Sequence, residues 1–272
     1  MLNDVTFGQY YPAESFVHKM DSRAKILLTI AYITCIFLIK NFYGFIACGG
    51  FLFAVVFISK VPLNSVIKSI KGILFLIIFT AVINLFFYSS GGKVLVHFWI
   101  INIYESAVIF TVFMAVRLFL LVMGTSVLTL TTTPVALTDG IESLLKPLNY
   151  VRFPVHELAL IMSIALRFIP TLMDETDRII RAQKARGADF ESGGLIKRAK
   201  ALIPILIPLL VSAFRRAEEL GDAMDARCYS GAKGRTKYKK LKYGLRDLFG
   251  FVFLALLIAA IIYMNIKLGK II

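Results

Sequence analysis

The stretch "HELALIMSIALRFIPTLMDETDRIIRAQKARGADF", residues 156–190, changes character in its middle. Residues 155–169 are apolar at helical spacing. Past Pro170 the chain becomes a charged run over 174–186. The pattern predicts one long helix that begins apolar, ends charged and closes on "AQKARG", with Gly187 and "SGG" at 192–194 as its break. A second helix repeats the design. Residues 201–214 are apolar, "EELGDAMDARC" follows, and "YSGAKG" at 229–234 ends it. Fourteen apolar residues between Arg198 and Lys200 on one side and Arg215 and Arg216 on the other are too few to cross a bilayer comfortably. Such a segment reads as a helix in the interface or between neighbours.

Outward from these helices the chain is greasier than a soluble domain. Of its 272 residues 58% are hydrophobic, and mean hydropathy is +0.77, against about 45–50% apolar residues in soluble domains. Apolar runs at 26–39, 42–59, 72–88, 106–131 and 248–266 read as five spans, the fourth interrupted only by Arg117. The expected fold is an all-α membrane protein with about five transmembrane helices and a cytoplasmic coupling domain of long amphipathic helices. The expected divisions are a membrane domain at 1–131 with four spans, the coupling domain at 132–245, and a last span within 246–272.

The net charge of +14 speaks to orientation first in such a chain. Residues 132–245 hold 19 Lys and Arg. Lys19, Arg23 and Lys25 precede the first span, and Lys60, Lys68 and Lys71 follow the second. This places the N-terminus and the coupling domain in the cytoplasm of a multi-pass protein of the cell membrane. The basic stretch 233–242 suits anionic headgroups, and no nucleic-acid partner is expected.

Other chemistries find little purchase. The first twenty residues lack the apolar core of a signal peptide. Cys35, Cys48 and Cys228 form no disulfide framework, and His18, His97 and His156 match no metal motif. "GAKGRTK" at 231–237 lacks the GK[ST] of a phosphate-binding loop. The chain is therefore expected to be no enzyme, with no metal and no cofactor. A stand-alone secondary transporter would need ionisable or broken-helix sites near the midplane, where only Arg117 qualifies, and Asn84 in the third span reads as a helix–helix hydrogen bond. A membrane-embedded enzyme would need clustered His, Asp or Ser, and none appears.

The repeated phrase needs its own account. Ala182 with Ala185, and Ala223 with Ala226, give each helix end a smooth stripe. Arg186 and Arg227 add a rigid fork of donors suited to carboxylates. Either arginine alone could be there for the helix dipole, worth about 0.3–1 kcal/mol. Two such phrases, 41 positions apart at two broken helix ends, suggest two like knobs for two like sockets.

The segments "TTTPVALTDGIESLLKPL" at 131–148, residues 156–190 quoted above, and "LIPLLVSAFRRAEELGDAMDARCY" at 206–229 resemble the transmembrane coupling (T) component of energy-coupling factor (ECF) transporters, the EcfT/CbiQ family. The N-terminal "TFGQYYPAESFVHKMDSRAKI" resembles its shared-module branch. The resemblance runs through the whole chain. It implies a scaffold that joins two ABC-type ATPase subunits (A and A′) to a membrane-embedded, substrate-binding S component for uptake of a vitamin or other micronutrient. It implies that Ala185-Arg186-Gly187 and Ala226-Arg227-Cys228 each dock one ATPase, Cys228 standing where glycine is common. It further implies that the apolar stretches carrying Leu158, Ile161, Met162 and Ala165, and Leu202, Leu206 and Leu209, grip the S component.

Overall fold

An apolar helix can enter a bilayer because its backbone bonds are satisfied internally; the places where it stops must be satisfied by something else. In the computed structural model, which describes residues 10–87, 94–98, 101–151, 153–188, 190, 194–231 and 241–267, those stopping places organise the chain. The expected basic stretch at 233–242, the break at 192–194 and the end of the third span at Tyr88 fall wholly or largely outside the described residues.

The chain divides into two compact units, Gly8–Ser143 with Leu241–Ile272, and Leu144–Lys240 with the first seven residues. In the first, α1 (Ser22–Leu38), α2 (Phe42–Ser59), α3 (Leu63–Phe87), α4 (Glu105–Thr131) and α8 (Leu245–Lys267) are joined by a small antiparallel ribbon, β1 (Val94–Phe98) with β2 (Ile101–Tyr104), between α3 and α4. α5 (Pro134–Leu145) begins on the predicted proline, with the Thr133 hydroxyl accepting from Ala136 N–H. Its first ten residues, 134–143, belong to this same unit. The second unit holds a 3₁₀ turn (Lys146–Val151), α6 (Val155–Ala185) and α7 (Leu195–Asp225).

The core of the first unit is a heptad-like seam. Phe113, Leu120 and Val127 of α4 and Leu254 and Ile261 of α8 recur seven apart and meet Tyr32 and Ile36 of α1 and Leu52 of α2. Gly124 lets the Tyr32 ring lie against α4, since an added Cβ would fall on that ring.

Among the described residues five helices are long and apolar enough to cross a membrane: α2, α3 through Phe86, α4, α6 and α8. The second span matches residue for residue at 42–59. The third starts earlier than predicted, at Leu63, because Lys68 and Lys71 continue the helix. The membership also differs at one place. α1 has 17 residues, about 26 Å of helix against a hydrocarbon core of about 30 Å. α6 qualifies on its apolar half although its second half is charged.

Polar side chains close the helix ends of the first unit. Arg117 Nη2 donates to the carbonyl of Ile39, the residue that ends α1, at 3.1 Å. Asn265 Nδ2 donates to Leu38 O at 2.8 Å, and Asn41 Nδ2 to Met264 O at 3.2 Å. At the other ends of α1 and α8, one buried carboxylate serves both helices. Asp247 accepts from Asp21 N–H through Oδ1 (2.9 Å) and from Gly244 N–H through Oδ2 (2.8 Å). Asp21 in turn caps α1 at Arg23 N–H and pairs with the Arg23 guanidinium, which lies over the Tyr243 ring. Lys25 donates to Thr131 O at 2.9 Å and to His18 O at 3.2 Å. His18 donates from Nε2 to Tyr11 O and accepts the Ser15 hydroxyl at Nδ1; burial holds its pKa below the usual histidine value.

Asp247→Ala strands two backbone donors, at a cost of about 1–3 kcal/mol for each one left without a partner. Thermal unfolding in detergent should show a clear drop in midpoint. Exchange of the conserving kind, Asp247→Asn, keeps one acceptor and should lie between.

Candidate functional site: two like helix ends

Glycine and a cysteine decide how α6 and α7 finish. An α-helix leaves its last carbonyls without intrahelical partners, and the commonest remedy is a residue in the left-handed region just past the end. After α6, Gly187 takes φ +86°. Its N–H donates to Lys184 O at 3.0 Å, and Ala188 N–H reaches back to Gln183 O at 3.0 Å. After α7, Cys228 takes φ +56°. Its N–H donates to Asp225 O at 2.9 Å, and Tyr229 N–H reaches back to Met224 O at 3.1 Å. The two bonding patterns are the same Schellman closure.

The sequence phrase is therefore a repeat in three dimensions as well. Ala185-Arg186-Gly187 and Ala226-Arg227-Cys228 occupy the same register: last turn, hinge residue, left-handed residue. All six are exposed. Among the described residues neither Arg186 nor Arg227 has an ion-pair partner. What the two third positions share is backbone conformation. Smallness alone does not describe it, because a left-handed cysteine carries a Cβ that glycine lacks.

α6 and α7 run antiparallel. Arg216 of α7 pairs with Glu175 of α6, Nη2 to Oε2 at 2.6 Å, both half-buried. Nearer the end of α6, Gln183 Nε2 reaches Pro204 O at 3.5 Å. That carbonyl has no helical donor, because the residue four further on is Pro208. At the start of α6, Leu160 and Ile164 line a cavity with Met224 and Arg227 of α7. The order reverses along the pair, so the two phrases sit at its opposite ends, each helix being about 46 Å long.

The predicted grip residues are mostly open. Leu158, Ile161, Met162 and Ala165 recur at i, i+3, i+4 and i+7 along α6 and are exposed. On α7 Leu202 and Leu206 are exposed and Leu209 is half-buried. Ile203, Ile207, Val211 and Phe214 extend the exposed apolar surface of α7, Phe214 to 70%. Apolar surface of this extent belongs against lipid or a protein. Among the described residues no group of His, Cys, Asp and Glu could hold a metal ion.

Sequence reasoning passed over two side chains that the fold brings to these ends. Gln183 lies inside the quoted phrase, and the signal for its role was the Pro204–Pro208 spacing. Arg167 stands in the apolar half of α6 yet lines the same cavity as Arg227; only the antiparallel pairing reveals that.

The chain matches the family model CbiQ, described as a cobalt transport protein, over residues 13–238. It is 48% identical over 270 residues to the energy-coupling factor transporter transmembrane protein EcfT of Clostridium kluyveri, covering 99% of this chain and 100% of that protein. The protein of that name from Ruminiclostridium cellulolyticum is 50% identical over 243 residues, 89% of this chain and 90% of its own length. That from Bacillus subtilis is 42% identical over 265 residues, 97% and 100%.

The closure makes a prediction that separates conformation from size. Cys228→Gly should slow amide exchange at Tyr229 about fivefold, and Gly187→Ala should speed it at Ala188 by as much, since a left-handed L-residue costs about 1–2 kcal/mol. Equal exchange in wild type and both variants would mean that the two ends do not depend on the left-handed residue.

Proposed function

The chain belongs to the EcfT/CbiQ family, the transmembrane components of energy-coupling factor transporters, and from that premise we propose that it couples two ABC-type ATPase subunits (A and A′) to a substrate-binding S component for uptake of a vitamin or other micronutrient. The observation that carries this reading is the pair of identical, exposed closures at opposite ends of α6 and α7. A single docking knob would serve one ATPase; two like knobs separated by about 35–40 Å along the pair suit the two halves of an ATPase dimer.

In this reading Ala185 and Ala226 let a partner surface come close, and Arg186 and Arg227 donate to its carboxylates or carbonyls. Gly187 and Cys228 turn the chain away so that the arginine projects from the end. ATP binding closes the dimer and carries both knobs with it. The half-buried Glu175–Arg216 pair joins the two rods, so movement at their ends becomes movement of the apolar surface. Leu158, Ile161, Met162 and Ala165 on α6, with Leu202, Leu206 and Leu209 on α7, would then shift against the S component, a hinge or shear step. The N-terminus and the coupling helices lie on the cytoplasmic side, where the ATPases are. The arrangement of Arg117 argues against a stand-alone transporter: the intramembrane guanidinium donates to the Ile39 carbonyl and serves the end of α1.

Two experiments test this. Cysteines at Ala185 and Ala226, in a background without other cysteines, should resist an impermeant thiol reagent in intact cells and react in inverted vesicles; labelling of intact cells would reverse the orientation. Losing a paired interfacial charge costs about 2–5 kcal/mol, so Arg186→Ala or Arg227→Ala alone should weaken the assembly. Together they should release both ATPases and abolish uptake. If the arginines merely complement the helix dipole, worth about 0.3–1 kcal/mol, the double variant would still retain both ATPases and transport normally.

A further inference from the structure

The two ends that look alike in backbone differ in what lies beside them. At the α7 end a cavity of about 640 Å³ opens between the first half of α6 and the closure that follows α7. Its floor is apolar, with Leu160, Ile164, Phe168, Leu220 and Met224. Two guanidinium groups line it, Arg167 from α6 and Arg227 from the docking phrase, and among the described residues its lining holds no carboxylate. Along the charged half of α6 the neighbouring cavity is smaller, about 400 Å³, and stops at Ala182, short of Arg186. It carries Asp174 and Glu175 against Arg178 and Arg216, so its charge is balanced.

We propose that the α7-end cavity is a socket for an acidic segment with apolar flanks on one of the two ATPases, anchored by Arg167 together with Arg227, and that this asymmetry decides which ATPase takes which end. The proposal rests on the docking reading above and adds to it a new anchoring residue, Arg167, and a partner chemistry. Two arginines facing one apolar hollow favour a carboxylate that is partly desolvated, where a planar fork of donors gains most. A segment without negative charge would offer neither guanidinium a charge-assisted partner. Sorting arises because the cavity along the charged half of α6 stops at Ala182, so beside Arg186 the same segment would find no matching apolar hollow for its flanks.

The test uses the intact complex, purified from native membranes through a tag on this chain, with the two ATPases quantified separately by mass spectrometry. Arg167 is exposed, so Arg167→Glu should fold, and monodispersity in detergent checks that it does. It should lower recovery of one ATPase at least about tenfold while leaving the other nearly unchanged. Arg186→Ala should deplete the opposite ATPase. Ser163→Trp, which fills the cavity without altering charge, should deplete the same ATPase as Arg167→Glu. Arg215→Glu, at an exposed arginine outside this cavity, should leave both in place. Full recovery of both ATPases from folded Arg167→Glu and Ser163→Trp, or equal loss of both, overturns the socket. So does loss of binding to anionic vesicles with both ATPases retained, which would make it a lipid site. Retention of both ATPases by the Arg186→Ala/Arg227→Ala double variant would instead remove the docking reading beneath it.

Discussion

A helix that ends in water must do something with its last carbonyls, and in the second unit that requirement fixes the geometry of the two arginine phrases. One residue in the left-handed region turns the chain back, two backbone bonds close the end, and the preceding arginine is left projecting. The same solution occurs after α6 and after α7. The antiparallel pairing of those helices then sends the two arginines to opposite ends of one rigid pair. Where the two arginines lie thus follows from how the backbone is satisfied and from helix length.

The membrane unit answers the same requirement in a different solvent. In hydrocarbon, water cannot rescue an exposed carbonyl, so side chains do. Arg117 and Asn265 take the final carbonyls of α1, and Asp247 takes donors from two helix starts at once. These side chains tie α1 to α4 and α8 at its two ends, and the heptad seam fills the space between. The charges that first suggest intramembrane chemistry act here as fasteners.

Much of this is legible in the sequence, and the failures have physical causes. The span at 42–59 is bounded by Asn41 and by Lys60, so its limits can be read residue for residue. α1 and α6 exchange places among the bilayer-length helices because length depends on where a helix stops. α1 starts just after its Asp21 cap, four residues before the apolar run, and still reaches only 17 residues, while α6 runs on through Pro170 with its apolar half intact. The two phrases are visible as a repeat of residue types. Their common backbone conformation is not, because Cys228 is a poor advertisement for a left-handed site. Arg167, Gln183 and Asp247 escape sequence reading for one reason: each meets a partner brought close only by the fold. Arg167 lies 60 positions from Arg227 and Asp247 lies 226 from Asp21.

If each helix end touches its own ATPase, photocrosslinking reads that contact directly. A photoreactive amino acid at Ala182 or at Ala223, on the alanine stripe beside each phrase, is activated in the assembled transporter. A covalent adduct should form with one ATPase from the first position and with the other ATPase from the second. Adducts only with lipid or with the S component from both positions would contradict it.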